Sequence, residues 1–405
     1  MLWGTNLEQA RAYNLRVVLE VIRLYGPISR AEIARRTGLT LQTVSNLVRA
    51  LDAAGLLLYR GRAAASRGQP PVEIDIRPEA AFSIGLNLDR DHLTGVLVDL
   101  KGHRHGRVHR ELTQPLLPEP ALAQMAELVE ELLAQVPEAR DRLWGIGVAI
   151  PGPIDLERKR VRALYNFPGW DDVAVRDPLQ RRLGIPVYVE NDATAAAIGE
   201  KWFGAGRDLQ DFFYVYLGIC VGGGIVLGGQ PYYGSTGNAG EFGHVPVGPG
   251  DPTTFGARVS MGALYQAVGA STPAELVERF RMGDPALQRW LDQAAEWLIP
   301  PLIAVESLLD PEAILFGGRL PEPLLQDLIQ RLAARLPRYR MPGKPRYPQL
   351  LLGQAREDAP ALGAAILPIF QVLFPSTKRL LKKRRKPEPL PTPLGRGSEV
   401  LNLNL

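Results

Sequence analysis

Gln42, Thr43, Ser45, Asn46 and Arg49 bring amides, hydroxyls and a guanidinium onto one short stretch of chain. These groups can hydrogen-bond to base edges and phosphates, which is the chemistry of reading DNA through its major groove. Such chemistry needs a helix to present it. Leu41, Val44, Leu47, Val48 and Leu51 recur at spacings of three and four and predict that helix. Thr40 stands at its start, placed to cap it and near enough to the polar face to join the DNA contacts. A shorter helix precedes it. Ser29 and Glu32, three residues apart, form a capping box, and Ala31, Ile33 and Ala34 supply a small apolar face. Gly38 lies between the two helices, where the turn needs positive φ. The pattern predicts a DNA-reading helix-turn-helix, and with it control of transcription. A plain amphipathic helical hairpin is the alternative that the pattern leaves open.

The flanks extend the motif. Residues 14–25 read as a helix carrying Leu15, Val18, Leu19, Ile22 and Leu24, with Pro27 separating it from the hairpin. Gly55 stops the recognition helix, and residues 56–59 and 72–76 read as two short strands. That order predicts a winged helix-turn-helix with its wing at residues 60–71. Arg62 and Arg67 in the wing could meet a phosphate or a minor groove, or be solvated.

A chain of 405 residues with 46% hydrophobic content suggests two or three domains with ample core. No apolar run reaches the roughly 18 residues of a membrane span, and the N-terminus lacks the features of a secretory signal. Cys220, the one cysteine, has no internal disulfide partner, and a cytoplasmic protein is the expectation. Net charge is +4, unevenly spread: residues 1–76 carry ten arginines against six acidic residues, and residues 376–405 carry eight basic against two acidic. Both ends are basic and the middle is acidic, a distribution that suits a polyanion at the ends.

From Ala80 the pattern changes to short apolar runs alternating with helices, which predicts α/β architecture. Residues 82–88 and 92–100 read as a strand pair, with a third strand at 102–112 and a helix at 120–136. A buried strand at 143–155 runs into a Pro/Gly loop. Strand, polar turn and Ala-rich helix follow at 184–206, then strand, glycine turn and strand at 211–229, and a strand at 313–320 ends on Gly317-Gly318. Segments 82–100 and 212–228 look like an internal duplication, so two lobes around a ligand cleft are expected. The predicted division is 1–76 for the winged helix-turn-helix, 77–375 for the two-lobed body and 376–405 for a basic, Pro-rich, disordered tail. The tail holds seven basic residues in nine at 378–386, fit either to touch DNA without sequence preference or to stay solvated.

A winged helix-turn-helix followed by PGPID, NFPGW, VENDATAAAIGE, LGICVGGGI and GNAGEFGHV resembles the ROK family of repressors, open reading frames and sugar kinases. The resemblance covers residues 12 to 372 and implies an actin/hexokinase-like (ribonuclease H-like) fold for the body. In ROK kinases an aspartate after Glu-Asn takes a proton from the sugar hydroxyl; the match here is Asp192, which could equally just bind a sugar. Asn166, Asn191, Glu241 and His244 match positions that hold sugar hydroxyls, where amide, carboxylate and imidazole are suitable partners.

The chain also departs from the family. The Asp-x-Gly-Gly-Thr-Lys turn after the first strand is replaced by Asn87-Leu88-Asp89-Arg90-Asp91-His92, which lacks the glycines that let backbone amides approach phosphate. The second phosphate loop, Leu-Gly-Thr-Gly in the family, is Leu217-Gly218-Ile219-Cys220. The zinc cysteines are absent from residues 255–265, and Tyr265 stands for a sugar-contacting glutamate. The expectation is a regulator, not an enzyme, without cofactor or metal. It would bind operator DNA as a homodimer or homotetramer under control of a sugar or sugar-phosphate effector. A sugar kinase using Asp192, and a constitutive DNA binder with a vestigial pocket, are the alternatives.

Overall fold

The computed structural model describes residues 7–60, 72–155, 160–162, 167–248 and 251–373. The chain begins with helices α1 (Leu7–Tyr25), α2 (Arg30–Thr37) and α3 (Leu41–Ala53), then strands β1 (Leu57–Arg60) and β2 (Glu73–Ile76), paired antiparallel with Leu57 opposite Ile76. The Ser29 hydroxyl accepts from Glu32 N at 3.2 Å, and the Thr40 hydroxyl accepts from Thr43 N at 3.2 Å, so both predicted caps form. Gly38 takes φ +70° and returns its N–H to Ala34 O. The reciprocal half of the capping box does not form, because the Glu32 carboxylate turns to Arg35 and Arg36. Val44, Leu47, Val48 and Leu51 are buried, with Ile33 beneath them. Leu41 is 55% exposed: as the first residue of α3 it precedes the apolar stripe. Leu24 and Ala31 also face solvent, and α1 starts seven residues before the predicted Asn14.

The first lobe is built on a five-stranded sheet, order β10-β6-β3-β4-β5. Its antiparallel hairpins join β3 (Phe82–Leu88), β4 (His92–Asp99) and β5 (Arg104–Glu111); β6 (Leu143–Ile150) and β10 (Val187–Asn191) add in parallel. Every residue of β3, β4 and β6 is buried, as for a sheet covered on both faces. Helix α4 (Pro118–Gln135) covers one face, and α5 (Arg176–Leu183) packs beside it. Within 143–155 the strand ends at Ile150 and gives way to the expected Pro/Gly loop; residues 154–155 then start a small sheet, β7 (Ile154–Asp155), β8 (Arg160–Val161) and β9 (Val173–Ala174).

The second lobe repeats the plan. Strands β11 (Phe212–Leu217) and β12 (Val221–Leu227) form a hairpin extended by β13 (Gln230–Pro231), and β16 (Ala313–Gly318) and β17 (Gln349–Leu352) add in parallel. Hairpin plus parallel neighbour is thus used twice, which is the duplication seen in the residues. A short hairpin, β14 (Pro246–Gly248) and β15 (Asp251–Thr254), leads into α7 (Phe255–Val259), α8 (Met261–Val268), α9 (Pro273–Arg281), α10 (Pro285–Leu309) and α11 (Glu322–Arg335). These helices share one apolar core with the second sheet. Two further helices, α6 (Asp192–Phe203) and α12 (Ala359–Leu373), pack on each other; α12 lies on β3 and β6, and α6 on β11 and β12. The approach of α12 needs glycine: a Cβ on Gly147 would lie 1.8 Å from Ala364 O. Among the described residues no helix is long and apolar enough to cross a membrane.

Candidate functional site

On the DNA-reading side, Thr40, Gln42, Asn46 and Arg49 are exposed and Thr43 and Ser45 half-buried on one face of α3. Gln42 Nε2 and Arg49 Nη1 both donate to Asn46 Oδ1, at 3.4 and 3.3 Å, which lines three of the expected contacts into a stripe. Thr40 spends its hydroxyl on Thr43 N and lies 2.8 Å from Thr43 Oγ1. Arg62 and Arg67 fall outside the described residues, as do Asn166 and the tail from residue 374.

The second site lies where the first sheet, α6 and the GNAGEFGH loop meet. β10 ends in Glu190-Asn191, and α6 begins at Asp192. Asn191 caps the helix, accepting Thr194 N at 3.0 Å through Oδ1, which leaves its amide nitrogen free of that role. Asp192 Oδ1 accepts Ala193 N at 2.8 Å. A Cβ at Gly152, in the Pro/Gly loop after β6, would lie 2.7 Å from Asn191 Nδ2 and 3.0 Å from Glu241 Oε1, so amide and carboxylate converge on that loop. Asn238 pins the two loops together, accepting Ile154 N at 2.8 Å and donating to Ile154 O at 3.2 Å. His244 Nε2 stands 3.7 Å from Glu241 Oε2, with its side chain 69% exposed at the rim. The structure therefore gathers Asn191, Asp192 and Glu241 and sets His244 at their edge.

Burial dominates the electrostatics. It pushes Asp192 up to about 7, helped by the charge of Asp89 and opposed by Ala193 N–H and Arg90. Glu190 is likewise pushed up to about 7 by burial, against the 2.9 Å bond from Asn191 N. Burial also raises Glu241, with His244 pulling the other way. The Cys220 thiol is raised by desolvation and stays protonated at neutral pH. Its side chain is partly buried.

Beside Asp192, at the same end of the first sheet, side chains fill the turn that is glycine-rich in the kinases. Asp89 is 2% exposed and accepts Arg90 N at 2.7 Å and Arg90 Nη1 at 3.1 Å. His92 Nδ1 lies 2.5 Å from Asp91 Oδ1, and its Nε2 is 2.9 Å from Asn87 Nδ2. Arg319, next after Gly317-Gly318 in the second lobe, reaches across to Asp91 at 3.5 Å and Glu111 at 3.2 Å. The Tyr265 phenol, pushed up to about 12 by burial, feels the same Asp91, Arg319 and Glu111 and thus lies near this cluster. Arg90 and Arg319 were not anticipated. Arg90 was visible as a departure from the glycine turn; Arg319 carries no local signal, since its hydrogen-bond partners Asp91 and Glu111 are more than two hundred residues away.

These residues fit neither group that the resemblance implies for ROK kinases. Carboxylates and their partner guanidiniums occupy the turn that would cradle phosphate. Phe255, Val259, Met261 and Leu264 fill the zinc-loop region as buried apolar residues, leaving His244 without companion ligands. Donor atoms of Asp89, Asp91 and His92 do lie within 4.8 Å of one another. All three residues are already engaged by Arg90, Arg319 or each other.

Comparison with known proteins agrees with this architecture. The ROK family model matches residues 83–369, and a winged helix-turn-helix DNA-binding model matches residues 12–57. The chain is 26% identical to the xylose repressor of Bacillus subtilis over 88% of its own length and 94% of that repressor. A ROK family transcriptional regulator, homologous to the Escherichia coli Mlc protein, superposes with a TM-score of 0.74 at 22% identity, covering 92% of this chain and 99% of that one. A ROK glucokinase from Streptomyces griseus, solved with glucose and AMPPNP, superposes with a TM-score of 0.62 at 27% identity over 71% of this chain and 99% of its own. The protein belongs to the ROK family, as one of its members that carry a DNA-binding winged helix-turn-helix.

Proposed function

We propose that the protein is a transcriptional repressor whose grip on an operator is set by a sugar bound between the lobes. The observation that carries this reading is the convergence of Asn191 and Glu241 on the Gly152 loop, with Asp192 next in the chain and within reach of the Glu241 charge, in a chain that also presents a capped recognition helix. The resemblance to a xylose repressor supports a sugar as the effector. Asn191, Asp192 and Glu241 would bind its hydroxyls, with His244 at the rim and Asn166 completing the set. Thr40, Gln42, Thr43, Ser45, Asn46 and Arg49 would meet DNA through α3, and Arg62 and Arg67 through the wing. Residues 1–76 would act as the reader, 77–375 as the sensor and 376–405 as a basic tail. Two readers on a near-palindromic operator require an even assembly, a homodimer or homotetramer, working in the cytoplasm.

The test is fluorescence anisotropy of the full chain on DNA from upstream of its gene against scrambled DNA, near 150 mM salt, with a panel of sugars and sugar phosphates. Specific binding altered by one sugar supports the reading. Specific binding indifferent to all of them reduces it to a constitutive binder.

A kinase is the second reading, favoured by one observation: a buried Asp192 near neutrality is matched to general-base work. The ion pairs of Asp89–Arg90 and Asp91–Arg319 in the phosphate turn weigh against it. ATP-dependent sugar phosphorylation that disappears in Asp192→Asn would restore it.

A further inference from the structure

Two elements begin at the cleft and end against the DNA-binding unit. α6 starts with Asp192 and runs twelve residues to Phe203, ~18 Å at the usual helical rise. At its far end Trp202 lies under the Arg23 guanidinium of α1, 3.8 Å from ring centroid to carbon. Phe203 packs on Gly102, where a Cβ would stand 2.2 Å from the ring. The β3–β4 hairpin is the other rod. Its turn carries Asp89 and Arg90 at the cleft, and β4 then spans eight buried residues, ~25 Å, to Asp99. Asp99 fixes the next turn by accepting Lys101 N at 2.8 Å and His103 N at 3.0 Å.

Lys101 then leaves the body. Its Nζ lies 2.6 Å from Asp75 Oδ1, on β2 of the winged unit, and Asp75 is fully buried. The other oxygen, Oδ2, faces Arg60 Nη2 at 3.2 Å, at the base of the wing. The same carboxylate crowds the connection between α1 and α2, where a Cβ on Gly26 would stand 2.5 Å from Oδ1. Asp75 thus touches the entry to the helix-turn-helix, the root of the wing and the body at once. Yet Oδ2 makes no hydrogen bond. A buried carboxylate oxygen held by an ion pair but without an aligned hydrogen bond is poorly satisfied. Its donor is close by, on Arg60, whose side chain is 57% exposed.

We infer that this junction transmits the state of the cleft to the DNA-binding unit, with Asp75 as its pivot. Displacement of α6 and the β3–β4 hairpin alters the hold of Lys101 on Asp75 and of Trp202 on Arg23; Arg60 then turns its ion pair with Oδ2 into an aligned hydrogen bond and re-aims the wing root relative to α3. The identity of the effector rests on the sugar reading above; the junction itself does not. Coupling between sites is reciprocal, so operator DNA must perturb the cleft end of both rods.

Hydrogen exchange of the full chain, with and without a duplex that it has selected from a random pool, tests this. Operator should change protection in residues 192–203 and 89–92 as well as in α3. In Lys101→Met and Trp202→Leu the change should stay within residues 7–60; Lys101→Arg should behave as wild type. Melting curves establish which variants are folded, and either one suffices. Where a sugar shifts wild-type operator affinity, these variants should cut that shift by roughly tenfold with sugar Kd unchanged. The inference is overturned if operator leaves residues 192–203 and 89–92 of the wild type unchanged, or if both folded variants transmit fully. If those residues respond to operator but no sugar alters DNA binding, the sugar reading falls and the junction stands.

Discussion

Asp192 and Arg49 represent the two chemistries of the molecule, and each makes a prediction at its own scale. Arg49 is exposed and loosely held by Asn46 at 3.3 Å, so its guanidinium is available to DNA. Arg49→Ala should weaken operator binding by about tenfold and lower the salt slope by about one if it meets a phosphate; anisotropy across a salt series reads both. Asp192 and Glu190 are pushed up to about 7, well above their ordinary carboxylate values. Between roughly pH 4 and 7 the folded protein therefore binds more protons than the unfolded chain, and stability falls as pH rises through that window. The ligand-free melting temperature should drop from pH 5 to pH 8, and Asp192→Asn should flatten part of the slope. An unchanged slope in that variant would mean that Asp192 ionises as an ordinary surface acid.

At the level of elements, α3 and α6 were the most legible, because their caps are local. Thr40 announces α3, and the polar turn before the Ala-rich run announces α6, which Asn191 proves to cap. Replacing Thr40 with Ala should cost about 1 kcal/mol and lower the melting temperature of the winged unit accordingly. Glu200 ties elements distant in sequence: its carboxylate accepts Ala205 N, Gln354 N and Ala355 N at 2.8 to 3.0 Å, joining the end of α6 to the turn before α12. Glu200→Ala should destabilise by roughly 1–3 kcal/mol, since it leaves three N–H groups without the buried acceptor that ties them; denaturant titration measures it. The tie could not be read from VENDATAAAIGE, where Glu200 looks like one more exposed helical residue. The helices between Phe255 and Arg335 were also missed, because their pairing into one core with β11 and β16 depends on contacts far apart in the chain. Leu41 failed for the opposite reason: it has the right spacing but sits on the first turn, before the core begins.

For the whole molecule, the duplicated hairpin with its parallel neighbour could be seen in the residues. What could not be seen is how the lobes are held. Arg319 comes from the second sheet and is 5% exposed in its side chain, yet its partners Asp91 and Glu111 belong to the first. To separate the lobes, a nearly buried guanidinium must give up both carboxylates. Whatever enters the cleft would then wait for the door rather than collide with an open pocket. Its association should be slower than diffusion and should level off at high concentration, as expected when a conformational step precedes binding. Stopped-flow fluorescence would show that plateau, and Arg319→Met should raise it. The cell would gain a sensor that integrates effector level over the opening time and ignores brief pulses.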